Sequence, residues 1–391
     1  MSKPLISVVV LSRNNASTLP RLIDSLKEFR ERGGEMILVD TGSTDGTQEI
    51  ATAGGFRVLD KTGAFDRIID ENIAEDVNSK FQRSGEPPLT SAGDKFFDFA
   101  KARNWAAEQA SNGWICNPDS DEAWTKFDID KVEQMMATGA TRFSYNFVFD
   151  HNPDGTPSLQ FVTDTRLYNK KYWHWECCIH ETLTRNAGLD TEPVITYVGK
   201  DVLFLEHWQV PSPTRKCYLP GMAVAIIENP NHDRHLHYFG RELYYYKRYK
   251  TAIQVLMRHI DLSTFANEKA QSMIFIGDAL NESGDRPLAI EWYHKAFQTA
   301  LRREPLMRLA SIYFAEQDPA RTAIYCEAAL KIARTGYYGD TEAYYGSLPY
   351  QWLSWAKWNL GDKVGAREAY KESLILNPED PIIKGDRQWY L

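Results

Sequence analysis

Apolar residues run through ISVVVL at residues 6–11, interrupted only by Ser7, and again through MILV at residues 36–39. Short β-branched runs of this kind predict strands buried on both faces. Between them, Leu19, Leu22, Ile23, Leu26 and Phe29 recur at helical spacing. They predict a helix from near Leu19, capped by Ser17 or Thr18 and stopped by Gly33-Gly34. Helix signals return at residues 47–53, and residues 56–59 predict a third strand. Strand–helix alternation implies a parallel sheet covered on both faces. Its ligands belong beyond the carboxyl ends of the strands.

Residues 64–95 read as an insertion. Residues 66–81 predict an amphipathic helix, followed by the loop QRSGEPPLTSAGD. The insertion is either a surface excursion or a flap over a substrate. A helix is predicted over residues 96–110, leading into the strand Trp114-Ile115-Cys116. From residue 143 to 207 the pattern is mainly β, with FSYNFVFD, QFVTDTRLYN and VLFLEHW as strands and DHNPDGTPS as a turn.

The character changes around Val210-Pro211-Ser212-Pro213. From about His232 the chain reads as helical and repetitive. Gly240 and Ala252, Gly277 and Ala289, Ser354 and Ala366, and more weakly Ala310 and Thr322, each stand twelve apart. Small residues at two fixed positions let paired helices approach closely. The units start near Asp233, Ala270, Arg303 and Ser347 and resemble tetratricopeptide repeats. The expected organisation is an α/β domain over residues 1–215 and an all-α repeat domain over residues 216–391.

A length of 391 residues fits two or three domains, and 43% hydrophobic content is enough for sizeable cores. The net charge of −8 argues against bulk nucleic-acid binding. Five cysteines without a C-x-x-C pair argue against a disulfide framework and for a reducing compartment. The adjacent Cys177 and Cys178 read as ordinary small, buried side chains. No segment reaches the roughly 18 apolar residues of a membrane span, so the expectation is a soluble, cytoplasmic protein.

The chemistry concentrates in GWICNPDSDEAW, residues 113–124. A short strand runs directly into Asp119, Asp121 and Glu122. Unpaired charges at a strand end are too costly to be core filler. Closely spaced oxygen ligands suit Mg²⁺ or Mn²⁺, which in turn bind phosphate oxygens. Asp40 ends the second strand, so both sets of acids face one crevice.

ISVVVLSRNNASTLPRLIDSL, MILVDTGSTDGTQEIA, DFAKARNWAAEQA and WICNPDSDE together resemble the family 2 glycosyltransferases, which have the GT-A nucleotide-sugar-binding fold. The resemblance is good over residues 4–125 and loose over residues 140–210. With the repeats, the plan resembles bacterial peptide and protein glycosyltransferases. The resemblance implies that Asp40 binds the nucleoside, with Ser12 and Asn14 beside the base. It implies that Lys101 and Arg103 reach the diphosphate, and it counts Asp119 with them among the donor-binding residues. Asp121 then carries the metal, with Asp119 and His207 as further ligands. Asn117-Pro118 before the acids is a mild departure from the family pattern.

Inversion by a single displacement is also implied, and it needs a general base. Glu181 in CIHETL is the candidate, with Asp164 and Glu206 as fallbacks. The plainer reading pairs Glu181 with Arg185, one helical turn away. Trp173, Trp175 and Trp208 either stack on a sugar or pack in the core. Expected partners are a nucleotide-sugar donor, with a uridine diphosphate hexose favoured, and a peptide, protein or glycan acceptor. Self-association through the repeats fits as well. The run YYYKRYK at residues 244–250 either meets an anionic partner or packs a repeat. The alternatives are a non-catalytic scaffold on a degenerate domain, or an enzyme acting on a modified nucleic-acid base.

Overall fold

The computed structural model describes residues 2–152, 155–208 and 218–390. The Val210–Pro213 region, the expected boundary after residue 215, and Cys217 lie outside the described residues. By internal packing the chain divides into two units, Met1–Lys80 with Pro88–Glu228, and Phe81–Pro87 with Asn229–Leu391.

The first unit is built on strands β1 (Ile6–Ser12), β2 (Glu35–Asp40), β3 (Arg57–Asp60), β4 (Asp66–Ile68), β5 (Lys95–Phe97), β6 (Trp114–Cys116) and β7 (Glu122–Phe127). They are followed by β8 (Arg142–His151), β9 (Pro157–Thr163), β10 (Leu167–Asn169), β11 (Trp173–Glu176), β12 (Thr182–Arg185), β13 (Ile195–Tyr197) and β14 (Leu203–His207). The main sheet has the order β3-β2-β1-β6-β10-β8-β14-β7. Its first four strands are parallel, and β10 then runs antiparallel between β6 and β8. Ser12 pairs with Asp40 and Val8 with Cys116, so the ends of β1, β2 and β6 open on one edge. Two apolar layers flank the sheet because both faces of these strands are buried. Val8, Val10 and Leu38 join Leu19, Leu22 and Phe29 on one side, and Val9, Ile37 and Ile115 join Ala102 and Ala106 on the other.

The unit's helices are α1 (Leu19–Ser25), α2 (Lys27–Glu31), α3 (Thr47–Ala53), α4 (Glu71–Phe81), α5 (Phe99–Glu108), α6 (Ile129–Ala137) and α7 (Tyr218–Glu228). Thr18 stands at the N-cap of α1 without a side-chain capping bond; its hydroxyl donates back to the Asn15 carbonyl at 3.3 Å.

Three expected elements are corrected. Residues 66–68 are strand β4, and α4 starts at Glu71. Residues 95–97 are strand β5, and α5 starts at Phe99, where Asp98 caps it through Lys101 N–H at 2.9 Å. The cause is pairing, because β4 and β5 close the insertion as an antiparallel ladder that local periodicity cannot reveal. The single strand read in QFVTDTRLYN is two, β9 and β10, paired with different neighbours. Asp164 breaks it by turning to Arg142, whose guanidinium reaches both its carbonyl and its carboxylate.

The described cysteines are unbridged. Burial pushes the thiols of Cys178 and Cys326 up to about 12, as suits inert packing groups. Among the described residues no helix is long and apolar enough to cross a membrane.

The second unit contains α8 (Asp233–Tyr245), α9 (Tyr249–Leu262), α10 (Ala266–Glu282), α11 (Arg286–Thr299), α12 (Arg303–Ala315) and α13 (Pro319–Leu330). After these come α14 (Glu342–Tyr345), α15 (Leu348–Asn359), α16 (Lys363–Leu376) and α17 (Pro381–Tyr390). The hairpins α8/α9, α10/α11, α12/α13 and α15/α16 are the repeat units, with Ala252, Ala289, Thr322 and Ala366 fully buried. Residues 81–87 of the insertion belong here. Thr251 Oγ1 donates to the Phe81 carbonyl at 3.0 Å, and Arg248 Nη2 to the Pro87 carbonyl at 2.8 Å.

A Cβ on Gly277 would meet the Tyr293 ring at 2.5 Å, and that ring is held by its hydroxyl on Asp278 at 2.8 Å. Gly277→Ala is expected to destabilise this unit by about 1–3 kcal/mol through overpacking. The roughly 1 kcal/mol that alanine gains in helix propensity offsets this only in part. Urea unfolding of the variant beside wild type measures the difference.

Candidate functional site

A crevice of about 570 Å³ lies beyond the carboxyl ends of β1 and β6. Ser12, Arg13, Asn15, Arg103, Asp119, Asp121, Glu181 and His207 are among its lining residues.

The first wall is a stitched pair of loops. Asp40, fully buried at the end of β2, accepts from Gly42 N–H and Ser43 N–H with Oδ1, both at 2.9 Å. Gly42 supplies the positive φ of 112° that this turn requires. The other oxygen of Asp40, Oδ2, is buried and has no hydrogen-bond partner among the described residues. Asn14, at φ 56°, joins β1 to that turn, since its N–H donates to Ser43 Oγ at 2.9 Å and its Oδ1 accepts from Thr44 N–H at 2.8 Å. Asp45 and Thr47 make matching bonds to Ala16 and Asn15. Much of the GSTDGT run therefore braces the two loops. Ser12 and Asn15 line the crevice, with Ser12 Oγ donating to Asn15 Oδ1 at 3.2 Å, while the exposed Asn14 does not line it.

The second wall is a network of two arginines and three acids. Arg103 engages all three of its nitrogens: Nε donates to Glu181 at 2.7 Å, Nη1 to Asn117 at 2.8 Å and Nη2 to Asp119 at 2.7 Å. Arg166 bridges Asp119 Oδ2 at 2.5 Å and both oxygens of Glu122 at 2.7 and 2.8 Å. Burial opposes ionisation of Asp119, but the charges of Arg166 and Arg103 outweigh it and hold the carboxyl well below its usual range. Burial raises Glu122, with Asp119's charge adding to it and Arg166 opposing. Both oxygens of Asp119 are thus committed to guanidinium groups.

Asp121 is arranged differently. Its carboxylate Oδ2 lies 3.1 Å from His207 Nε2, and its carbonyl accepts from Trp208 N–H at 2.8 Å. The antiparallel register of β14 on β7 sets His207 opposite Glu122, which brings the imidazole beside Asp121. His207 Nδ1 lies 3.2 Å from the Phe149 carbonyl. A carbonyl only accepts, so Nδ1 carries a proton and Nε2 is the atom free to titrate or to ligate. Burial disfavours the imidazolium, but the hydrogen bond and charge of Asp121 overcome it, and the pKa of His207 is raised. The donor set fits a divalent cation. One oxygen and one imidazole nitrogen face each other at the roughly 3 Å expected of adjacent ligands with ~2.1 Å bonds. The Phe149 carbonyl already orients the ring. Asp119, Asp121 and His207 do not form a three-ligand cluster among the described residues.

Of the expected site residues, Ser12, Arg103, Asp119, Asp121, Glu181 and His207 line the crevice. Lys101 does not. Two residues apart on α5, Lys101 and Arg103 point about 200° apart, and Lys101 lines a separate groove with Arg67, Asn104 and Trp105. Glu181 does not pair with Arg185, because residues 182–185 form strand β12 and no helix; Arg185 meets Glu192. The fallback acids are engaged away from the crevice, Asp164 with Arg142 and Glu206 with His151. Trp173 and Trp175 are core. Trp208 lies between Arg21 and His151, each 4.1 Å from its ring. Sequence reasoning missed Arg166 and also Arg13, an exposed crevice residue whose guanidinium has no ion pair among the described residues.

The family described as Glycosyl transferase family 2 matches residues 7–65. An uncharacterized glycosyltransferase of Rickettsia felis is 27% identical over 207 residues, covering 51% of this chain and 60% of that protein. A putative teichuronic acid biosynthesis glycosyltransferase of Bacillus subtilis, TuaG, is 30% identical over 160 residues, covering 41% and 53%. An uncharacterized glycosyltransferase of Rickettsia conorii is 24% identical over 298 residues, covering 75% and 78%. The chain thus spans little more than half the length of the first two of these relatives.

Proposed function

We propose that this chain, a family 2 glycosyltransferase domain joined to tetratricopeptide-type helix hairpins, transfers a sugar from a nucleoside diphosphate donor to an acceptor with inversion. The observation that carries the reading is the Asp121–His207 pair at the strand ends, with a carboxylate oxygen and an oriented imidazole nitrogen 3.1 Å apart. These two residues would hold Mn²⁺ or Mg²⁺, which when bound neutralises charge on the leaving diphosphate.

The remaining roles follow from the side chains. Asp40 accepts from an imide N–H or a ribose hydroxyl with its unpartnered oxygen, which favours a uridine nucleotide. Arg13 offers its uncommitted guanidinium to the diphosphate. Arg103 and Arg166 fix the acidic wall, so phosphate contact passes from Arg103 and Lys101 to Arg13. Arg103 grips one oxygen of Glu181 at 2.7 Å. The other oxygen takes the proton of the acceptor nucleophile as that atom bonds to the anomeric carbon and the diphosphate departs. The acceptor is a peptide, protein or glycan, and the helix hairpins present it.

Asp40→Asn keeps an acceptor for the turn and replaces the second oxygen by an amide donor. It is expected to weaken uridine diphosphate binding by about 1–3 kcal/mol, the cost of a mismatched buried hydrogen bond. Titration calorimetry reads this directly. Unchanged affinity would remove Asp40 from the nucleoside site.

A further inference from the structure

The last helices of the second unit enclose a pocket of about 430 Å³ that the transfer chemistry does not use. Trp352, Trp355 and Trp358 stand on successive turns of α15, with Phe314 of α12 stacked on Trp352 at 5.4 Å and edge-on to Trp355 at 4.6 Å. Helix α17 closes the other side with Trp389 and Asp386. Among the described residues the lining contains one formal charge, the carboxylate of Asp386, and no lysine or arginine. Asp386 has no hydrogen bond or ion pair among the described residues.

We infer that this pocket receives the lysine or arginine side chain of a polypeptide partner. Aromatic faces attract cations through their quadrupoles, and most strongly where water is excluded. The chain already uses this row in that way, since Lys363 Nζ lies 3.5 Å from the centre of the Trp358 ring. Asp386 is half-buried, and a neutral guest would shield its carboxylate from water without offering it a partner. Burial, and then the like charge of Asp380, raise the pKa of Asp386, and no neighbouring cation opposes them. A guest cation would supply the missing charge. The exposed surface also exceeds what one amine covers. Ile382 and Trp389 are 66% and 58% exposed, and Leu360 and Val364 are exposed in the turn beside Lys363.

The test is titration of the full chain's tryptophan fluorescence with an acetylated, amidated Gly-Leu-Arg-Leu-Gly peptide. The same peptide with citrulline for arginine, tetramethylammonium and maltotriose serve as comparisons. The arginine peptide should bind saturably, and the citrulline peptide about tenfold or more weaker. Asp386→Asn and Trp389→Ala should each cause a similar loss with an unchanged thermal midpoint; both positions are solvent-accessible, so the fold tolerates them. Equal binding of the citrulline peptide, tighter binding of tetramethylammonium or maltotriose, or no saturable binding of the arginine peptide at millimolar concentration would each overturn the inference. The readout is binding alone, so it stands or falls independently of glycosyl transfer.

Discussion

Replacing Arg166 by methionine is expected to cost the N-terminal unit about 3–5 kcal/mol, because it strips the partner from buried acids. Glu122 is 2% exposed, and both its oxygens accept from Arg166. Asp119 loses one of its two guanidinium partners in the same step. Methionine fills similar volume, so the loss reports charge and hydrogen bonding more than cavity formation. Adding Glu122→Gln should restore part of the stability, since it removes the stranded charge. Urea-dependent hydrogen exchange at the amides of β6 and β8 isolates this unit from the helical one. A loss under roughly 1 kcal/mol would mean that the network is too hydrated to matter.

The second large effect is expected in turnover. Asp121→Ala should lower transfer by about 10²–10³, the usual cost of removing one group that stabilises developing charge. The fold should survive. The Asp121 side chain is 28% exposed, and its backbone carbonyl still accepts from Trp208 N–H. Excess chelator should reproduce the loss in wild type. Wild-type turnover in the variant, or full activity in chelator, would exclude the metal role.

The strands that build the crevice were legible because their apolar runs are short, β-branched and bounded by turn residues. The helix hairpins were legible because Gly240 and Gly277 meet Leu256 and Tyr293 at distances that admit no side chain. Pairing between distant segments was not legible. Glu122 announces a need for a cation, but nothing local says that it is Arg166, 44 residues away in a segment that reads as one strand. Glu181 follows His180 at φ 54° and Cys177 at φ 76°, neither a glycine that would signal the break. A helical partner therefore looked natural, and the true one comes from α5. The divergence of Lys101 and Arg103 was readable from helix geometry alone. Arg13 looked like a turn residue, and only the burial of the neighbouring cations shows it as the uncommitted one.

Whether Asp121 holds the metal that binds the donor is read by calorimetry of uridine diphosphate binding, with and without Mn²⁺, to wild type and to Asp121→Asn. Mn²⁺ should tighten binding to wild type by about tenfold or more, the scale of one well-placed charge, and leave the variant at its metal-free affinity. Equal enhancement by Mn²⁺ in both proteins, or no binding of the nucleotide to wild type with Mn²⁺ present, would contradict it.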